Sequence, residues 1–279
     1  MTRLKTDDIS DIAANLDTYD SVLLEKTGRT LMQLACDSAG VKEIEAAQRI
    51  VGCRAAVVPM TCGEGVIAGF PEAVAAICIH LGFQGAVTET VDATGVAEAV
   101  EKQNEIVLMA DDHRFVAINL RTRRVSDNVV ATGRGFAVGL ALMSNGVEGK
   151  QVLVLGLGPV GRSAAWELIS RGAQLTLFDI DQNKCRTAVL TLQKASNKVV
   201  YAASDLTEAL SNHSFILDAT PVPDVINSNY IFPETIVSAP GVPLGLTREA
   251  QRKISKRLLH DPLQIGVASM LLDAICHDG

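Results

Sequence analysis

The chain has 279 residues, enough for two domains of ordinary size, with 48% hydrophobic and 20% charged residues. Its formal net charge is −7 and its pI about 5.3, and the one basic run is Arg121-Thr122-Arg123-Arg124, so a nucleic-acid partner is not expected. No apolar run approaches the roughly 20 residues needed to cross a bilayer, which excludes a membrane span. The N-terminus, Met1 to Asp8, is polar and acidic and has no signal-peptide core. The six cysteines are scattered without a Cys-x-x-Cys pair, so neither a zinc site nor a disulfide framework is expected. The expectation is a cytoplasmic protein with reduced thiols and no metal; a homodimer is the commonest oligomer for such a chain.

Taken in order, residues 6–18 place Ile9, Ile12, Ala13 and Leu16 on one helical face, with Thr6 as N-cap. Helical patterns follow near 29–38 and 41–50. Arg54–Met60 reads as a buried strand, and Thr61-Cys62-Gly63-Glu64-Gly65 as a glycine-rich loop. Then come a helix over 71–81, a strand near 84–89, a helix over 94–103 and a strand Glu105–Ala110. This alternation predicts a small α/β domain with a parallel sheet. Residues 128–145 form one helix between the halves, capped by Asp127 or Asn128 and ended by Asn145-Gly146.

The second half predicts strands at Gln151–Leu155, Gln174–Asp179, 198–203, Phe215–Ala219 and Ile236–Ala239, separated by helices or loops. That is the order of a doubly wound, Rossmann-type parallel sheet. A last helix covers about 264–276. The expected organisation is an N-terminal substrate domain (1–127), a connecting helix (128–147), a nucleotide-binding domain (148–262) and a C-terminal helix (263–279) folded back toward the N-terminal domain.

Gly156-Leu157-Gly158-Pro159-Val160-Gly161 fits the dinucleotide fingerprint and sits between an apolar strand and a helix. Gly156 allows the tight turn, Gly158 lets a pyrophosphate approach the backbone, and Gly161 lets helix and strand pack closely. Pro159 suits the first helical turn, whose unpaired N–H groups attract phosphate. Asp179 follows Gly161 by 18 residues, near the spacing of about 20 for the ribose-binding acid. With Ile180 and Asp181 next, no arginine is present to meet a 2′-phosphate, so NAD is the expected cofactor. The loops Asp218-Ala219-Thr220-Pro221 and Ser238-Ala239-Pro240-Gly241 follow later strands and should border the same site.

Several segments together resemble one family, the dehydrogenases that complete pyrrolysine biosynthesis. They are Leu4, Val58-Pro59-Met60-Thr61-Cys62-Gly63-Glu64-Gly65, Leu108-Met109-Ala110-Asp111-Asp112, Asn128 with Ala131-Thr132-Gly133, the fingerprint at 156–161, Ala239–Pro243, and Pro262–Met270. The resemblance implies NAD-dependent oxidation of the terminal amine of 3-methyl-D-ornithyl-N6-L-lysine, a dipeptide-like substrate. Loss of ammonia and ring closure then give pyrrolysine. It further implies that Leu4, on a movable first helix, and Met60, Thr61 and Cys62 line the substrate pocket, and that the catalytic residue Asp111 holds the reacting amine. Asn128, Thr132, Leu157, Val160, Thr220, Pro221, Pro240, Gly241 and Ile265 would contact NAD beside the fingerprint glycines. Cys62 stands where the family pattern has serine. The competing readings are a shikimate-type or folate-type dehydrogenase, which carries a catalytic lysine in its first domain, and a non-enzymatic NAD-responsive sensor.

Overall fold

The computed structural model describes residues 4–277, so the outermost residues of the 1–127 and 263–279 spans lie outside the described part. The chain divides into two compact units. One comprises residues 1–24, 29–132 and 262–279; the other comprises 25–28 and 133–261.

The first unit begins with α1 (Thr6–Ile9), α2 (Ile12–Thr27), α3 (Leu31–Ala39) and α4 (Glu43–Ile50). The single helix expected over 6–18 is two helices, because α1 stops at Ser10 and α2 starts afresh at Ile12. Lys5, not Thr6, is the N-cap of α1, and its N–H donates to the Asp8 carboxylate at 2.7 Å. Thr30 caps α3 with a reciprocal Gln33 contact, the capping-box arrangement.

Next come β1 (Arg54–Val58), α5 (Phe70–His80), β2 (Gln84–Val87), α6 (Asp92–Glu101), β3 (Ile106–Ala110), β4 (Phe115–Asn119) and β5 (Val125–Asp127). The sheet order is β2-β1-β3-β4-β5. β2, β1 and β3 are parallel, as the strand-helix alternation requires, but β3–β4 and β4–β5 pair antiparallel. The sheet is therefore mixed rather than wholly parallel. The Asp111–Arg114 turn is too short for a crossover helix, so the chain returns alongside β3. The basic run 121–124 forms the next turn, where Arg121 pairs with Glu105 and Arg124 with Asp273.

α7 (Asn128–Met143) carries the chain from the first unit to the second. The second unit contains β6 (Gln151–Leu155), α8 (Pro159–Ser170), β7 (Gln174–Phe178), α9 (Gln182–Ser196), β8 (Val200–Ala202) and α10 (Leu206–Asn212). It continues with β9 (Phe215–Asp218), β10 (Ile236–Ser238), α11 (Arg248–Lys253) and β11 (Leu258–Leu259). Its sheet order is β11-β10-β9-β6-β7-β8, and every pairing is parallel. Val152 to Leu155 are wholly buried, as a central strand covered on both faces must be. The order reverses between β6 and β9, the position at which open α/β sheets hold ligands outside the carboxyl ends of their strands.

The chain ends in α12 (Gln264–Cys276), which belongs to the first unit and packs on α3, α4, α5 and β4. Residues 264–275 are all buried, so the helix is enclosed on every side, with its one charged residue, Asp273, paired to Arg124. Asn119 anchors it by donating its amide N–H to the Ala274 carbonyl at 3.1 Å. Among the described residues no helix is long and apolar enough to cross a membrane.

Candidate functional site

In the second unit the fingerprint lies at the point where the strand order reverses. Gly156 has φ of 80°, which a side chain would strain, and its N–H donates to the Phe178 carbonyl at 2.9 Å. A Cβ on Gly156 would stand 2.9 Å from the Ala219 carbonyl oxygen, so the turn after β6 rests directly on the loop after β9. A Cβ on Gly161 would strike the Gly156 carbonyl oxygen. A Cβ on Gly158 would meet nothing within 4 Å. Gly156 and Gly161 are thus demanded by the protein's own packing, whereas the space over Gly158 is open. Pro159 occupies the first turn of α8.

Asp179, at the end of β7, is buried and accepts the Leu157 N–H at 2.7 Å and the Asp181 N–H at 2.9 Å. Each carboxylate oxygen keeps a lone pair for a sugar hydroxyl. Ile180 beside it is 94% exposed, and Asp181 is occupied as the N-cap of α9. Thr220, Pro221, Pro240 and Gly241 belong to the same strand ends. Gly241 lies against the Thr220 carbonyl so closely that a Cβ would collide with it, and its N–H reaches the Asp218 carbonyl at 3.3 Å. These features fit a dinucleotide: an uncrowded helix N-terminus for the pyrophosphate, an acid for the ribose, and no cation at 180–181 for a 2′-phosphate.

Asp218, named from the sequence only as part of the 218–221 loop and given no role there, organises the β9 loop. Its Oδ1 accepts the Thr220 hydroxyl at 2.7 Å and the Thr220 N–H at 3.1 Å. Its Oδ2 is buried with no hydrogen-bond partner among the described residues. Burial pushes its carboxyl up to about 6, against the opposing pull of the Thr220 hydrogen bonds. The available signal was one acid closing the apolar run Phe215-Ile216-Leu217.

In the first unit, the Thr61–Gly65 loop leaves β1 at its carboxyl end. Met60 packs on the core formed by Ala56, Val58, Ala99 and Val107, while Thr61 and Cys62 are exposed. Asp111 and Asp112 sit in the hairpin turn between β3 and β4. Asp111 Oδ1 accepts the N–H groups of His113 at 2.8 Å and Arg114 at 2.7 Å. Those two backbone bonds, the Arg114 one foremost, hold its carboxyl below the usual range. Asp111 is therefore a turn-forming acid with an ionised, exposed side chain. Asp112 reaches the loop itself and accepts the Glu64 N–H at 3.0 Å. Asp92, also passed over in the sequence, grips Thr61 from α6. Leu4 lies half-buried just ahead of α1.

Asn128 and Thr132 form a separate group beside Gly266, the residue that follows Ile265. The Thr132 hydroxyl donates to Asn128 Oδ1 at 3.3 Å, and a Cβ on Gly266 would press on both side chains. The Asn128 amide nitrogen is buried and has no partner among the described residues.

This fold is that of the two-domain, Rossmann-type dehydrogenases. Quinate dehydrogenase from Corynebacterium glutamicum, solved in complex with NAD, superposes with a TM-score of 0.53 at 13% identity, over 80% of this chain and 93% of that one. Shikimate dehydrogenase from Aquifex aeolicus gives 0.52 at 14% identity, over 81% and 94%. At the sequence level, residues 8–126 match the family described as "Pyrrolysine biosynthesis protein PylD, N-terminal domain". Pyrrolysine synthase of Methanosarcina acetivorans is 32% identical over 272 residues, covering 97% of this chain and 98% of that protein. The chain belongs to the pyrrolysine synthase family.

Proposed function

We propose that the protein oxidises the terminal amine of 3-methyl-D-ornithyl-N6-L-lysine with NAD, releasing ammonia and closing the pyrroline ring of pyrrolysine. The observation that carries this reading is the pairing of a built dinucleotide cradle, Gly156–Gly161 with Asp179, with a family match running nearly the whole chain. Gly158, Pro159 and Val160 at the start of α8 would hold the pyrophosphate, and Asp179 the adenosine ribose. Thr220, Pro221, Pro240 and Gly241 would flank the rest of the cofactor. When bound, NAD supplies the hydride acceptor.

In the first unit, Asp111 would bind the ammonium form of the substrate. An ionised carboxylate favours the charged amine, so Asp111 serves capture and orientation more than deprotonation. Met60, Thr61, Cys62 and Leu4 would line the pocket for the dipeptide. The reduced cysteines fit the cytoplasm.

Incubating the protein with NAD and the synthetic dipeptide, while following NADH absorbance and pyrrolysine by mass spectrometry, tests the proposal. Turnover with both readouts supports it. Turnover of shikimate or quinate in place of the dipeptide overturns it.

A further inference from the structure

The Thr61–Gly65 loop has fewer donors to offer a ligand than its sequence suggests. The Thr61 N–H donates to Asp92 Oδ1 at 2.7 Å, and the Thr61 hydroxyl donates to Asp92 Oδ2 at 2.5 Å. The Glu64 N–H is taken by Asp112 at 3.0 Å, and the Gly65 N–H by the Cys62 carbonyl at 3.2 Å. A hydroxyl carries one proton and two lone pairs. With that proton committed to Asp92, Thr61 Oγ1 can only accept from a ligand.

The clasp is itself held in an uncommon shape. Asp92 has φ of 54°, in the left-handed region, at the first residue of α6, and its N–H donates to the Pro59 carbonyl at 3.0 Å. Non-glycine residues persist there where the surroundings over-determine them, and such sites gather at ligand clamps. The bonds from Thr61 hold the Asp92 carboxyl below the usual range, so it remains an acceptor at neutral pH.

We infer that Asp92 is a positioning residue of the substrate loop: it fixes Thr61 as a hydrogen-bond acceptor, so that this point of the site selects a donor group, an ammonium or amide N–H, over a carboxylate. The inference rests on the reading of this loop as part of the substrate site, and it adds the polarity of one contact.

Asp92→Gly and Asp92→Asn separate this role from a structural one, since both residues tolerate a left-handed φ. Glycine removes the clasp. Asparagine keeps its size, but its amide N–H donates to Thr61 Oγ1 and turns the hydroxyl proton outward. In steady-state assays with NAD and the dipeptide, Asp92→Gly should raise KM about tenfold. Asp92→Asn should raise it at least as much, with kcat less affected and NAD affinity by calorimetry unchanged. Thr61→Val combined with Asp92→Gly should be no worse than either alone. Rescue by Asp92→Asn, or wild-type KM in Asp92→Gly, would overturn the inference.

If the wild-type protein takes up NAD and leaves the dipeptide untouched, the functional reading fails, and the inference is still decided by probe binding. Wild-type protein should then bind 1,5-diaminopentane more tightly than glutarate, and both Asp92 variants should narrow the difference. An unchanged preference would overturn it.

Discussion

The Asp179 carboxylate accepts the backbone N–H of Leu157 at 2.7 Å, across a sequence separation of 22 residues. One side chain at the end of β7 thus shapes the glycine turn after β6 and, in the proposed function, also presents lone pairs to a sugar. Asp179→Ala should weaken NAD binding by about ten- to hundredfold, the cost of losing charged hydrogen bonds. It should also narrow the preference for NAD over NADP, because the repulsion of a 2′-phosphate goes with the charge. Titration calorimetry with both nucleotides checks this. An unchanged NAD affinity removes Asp179 from the site.

Gly161 and Gly158, five and two residues after Gly156, behave differently in the protein, and substitution should expose the difference. A Cβ at Gly161 would collide with the Gly156 carbonyl oxygen, so Gly161→Ala must push α8 away from β6. It should lower stability by about 1–3 kcal/mol. A Cβ at Gly158 meets no protein atom within 4 Å. Gly158→Ala should keep the wild-type melting temperature and lose NAD affinity. Thermal unfolding beside calorimetry distinguishes the two, and equal melting losses would contradict the assignment of Gly158 to the ligand.

Asp111 closes a turn and, in the proposed function, holds the reacting amine, and a single isosteric change can separate the two. Its Oδ1 closes the β3–β4 turn by accepting the His113 and Arg114 N–H groups, which an asparagine can also do. Asp111→Asn should therefore fold normally, yet raise the dipeptide KM by about tenfold or more, as expected when a charged partner is removed. Asp111→Ala should add a loss of stability from the broken turn. Kinetics of Asp111→Asn matching the wild type would leave Asp111 as a turn residue alone.

The buried Asp218 carboxyl makes a distinct pH prediction. Its ordinary value of 3.8 rises to about 6 in the folded protein. Between those values the folded state holds a proton that the unfolded chain has released. This contribution to stability therefore falls as pH rises, and above about pH 6 the full penalty, of order 3 kcal/mol, applies. Asp218→Asn removes the titration. Its melting temperature relative to wild type should improve on going from pH 5 to pH 8, and a constant difference would show that Asp218 does not titrate in this range.

The all-parallel sheet of the second unit was readable because its signals are local: Val152–Leu155 is uniformly apolar, and the glycine spacing follows within six residues. β11, only Leu258–Leu259, is too short to show a period. The hairpin of β4 and β5 escaped for a related reason, since β5 buries a single residue, Ser126, and the arginines beside it draw attention to charge instead. At the candidate site, Asp179 was singled out by its place at a strand end, whereas Thr61 and Asp111 drew their roles from the family resemblance. Asp92 had neither signal. It meets Thr61 from 31 residues away, and only the parallel pairing of β1 with β2 brings the start of α6 back to the loop. The grouping of Asn128, Thr132 and Ile265 came from family likeness rather than from any physical pattern in their neighbourhood.

The cysteines carry a practical consequence. Cys36, Cys53 and Cys78 are buried, and burial pushes each thiol up to about 12, where almost no thiolate exists near neutral pH. Cys185 is buried as well, and Cys276 is partly covered. Cys62 alone among the described cysteines is exposed. A maleimide fluorophore should thus attach first to the loop beside Thr61, making the unaltered polypeptide its own optical reporter of what enters there.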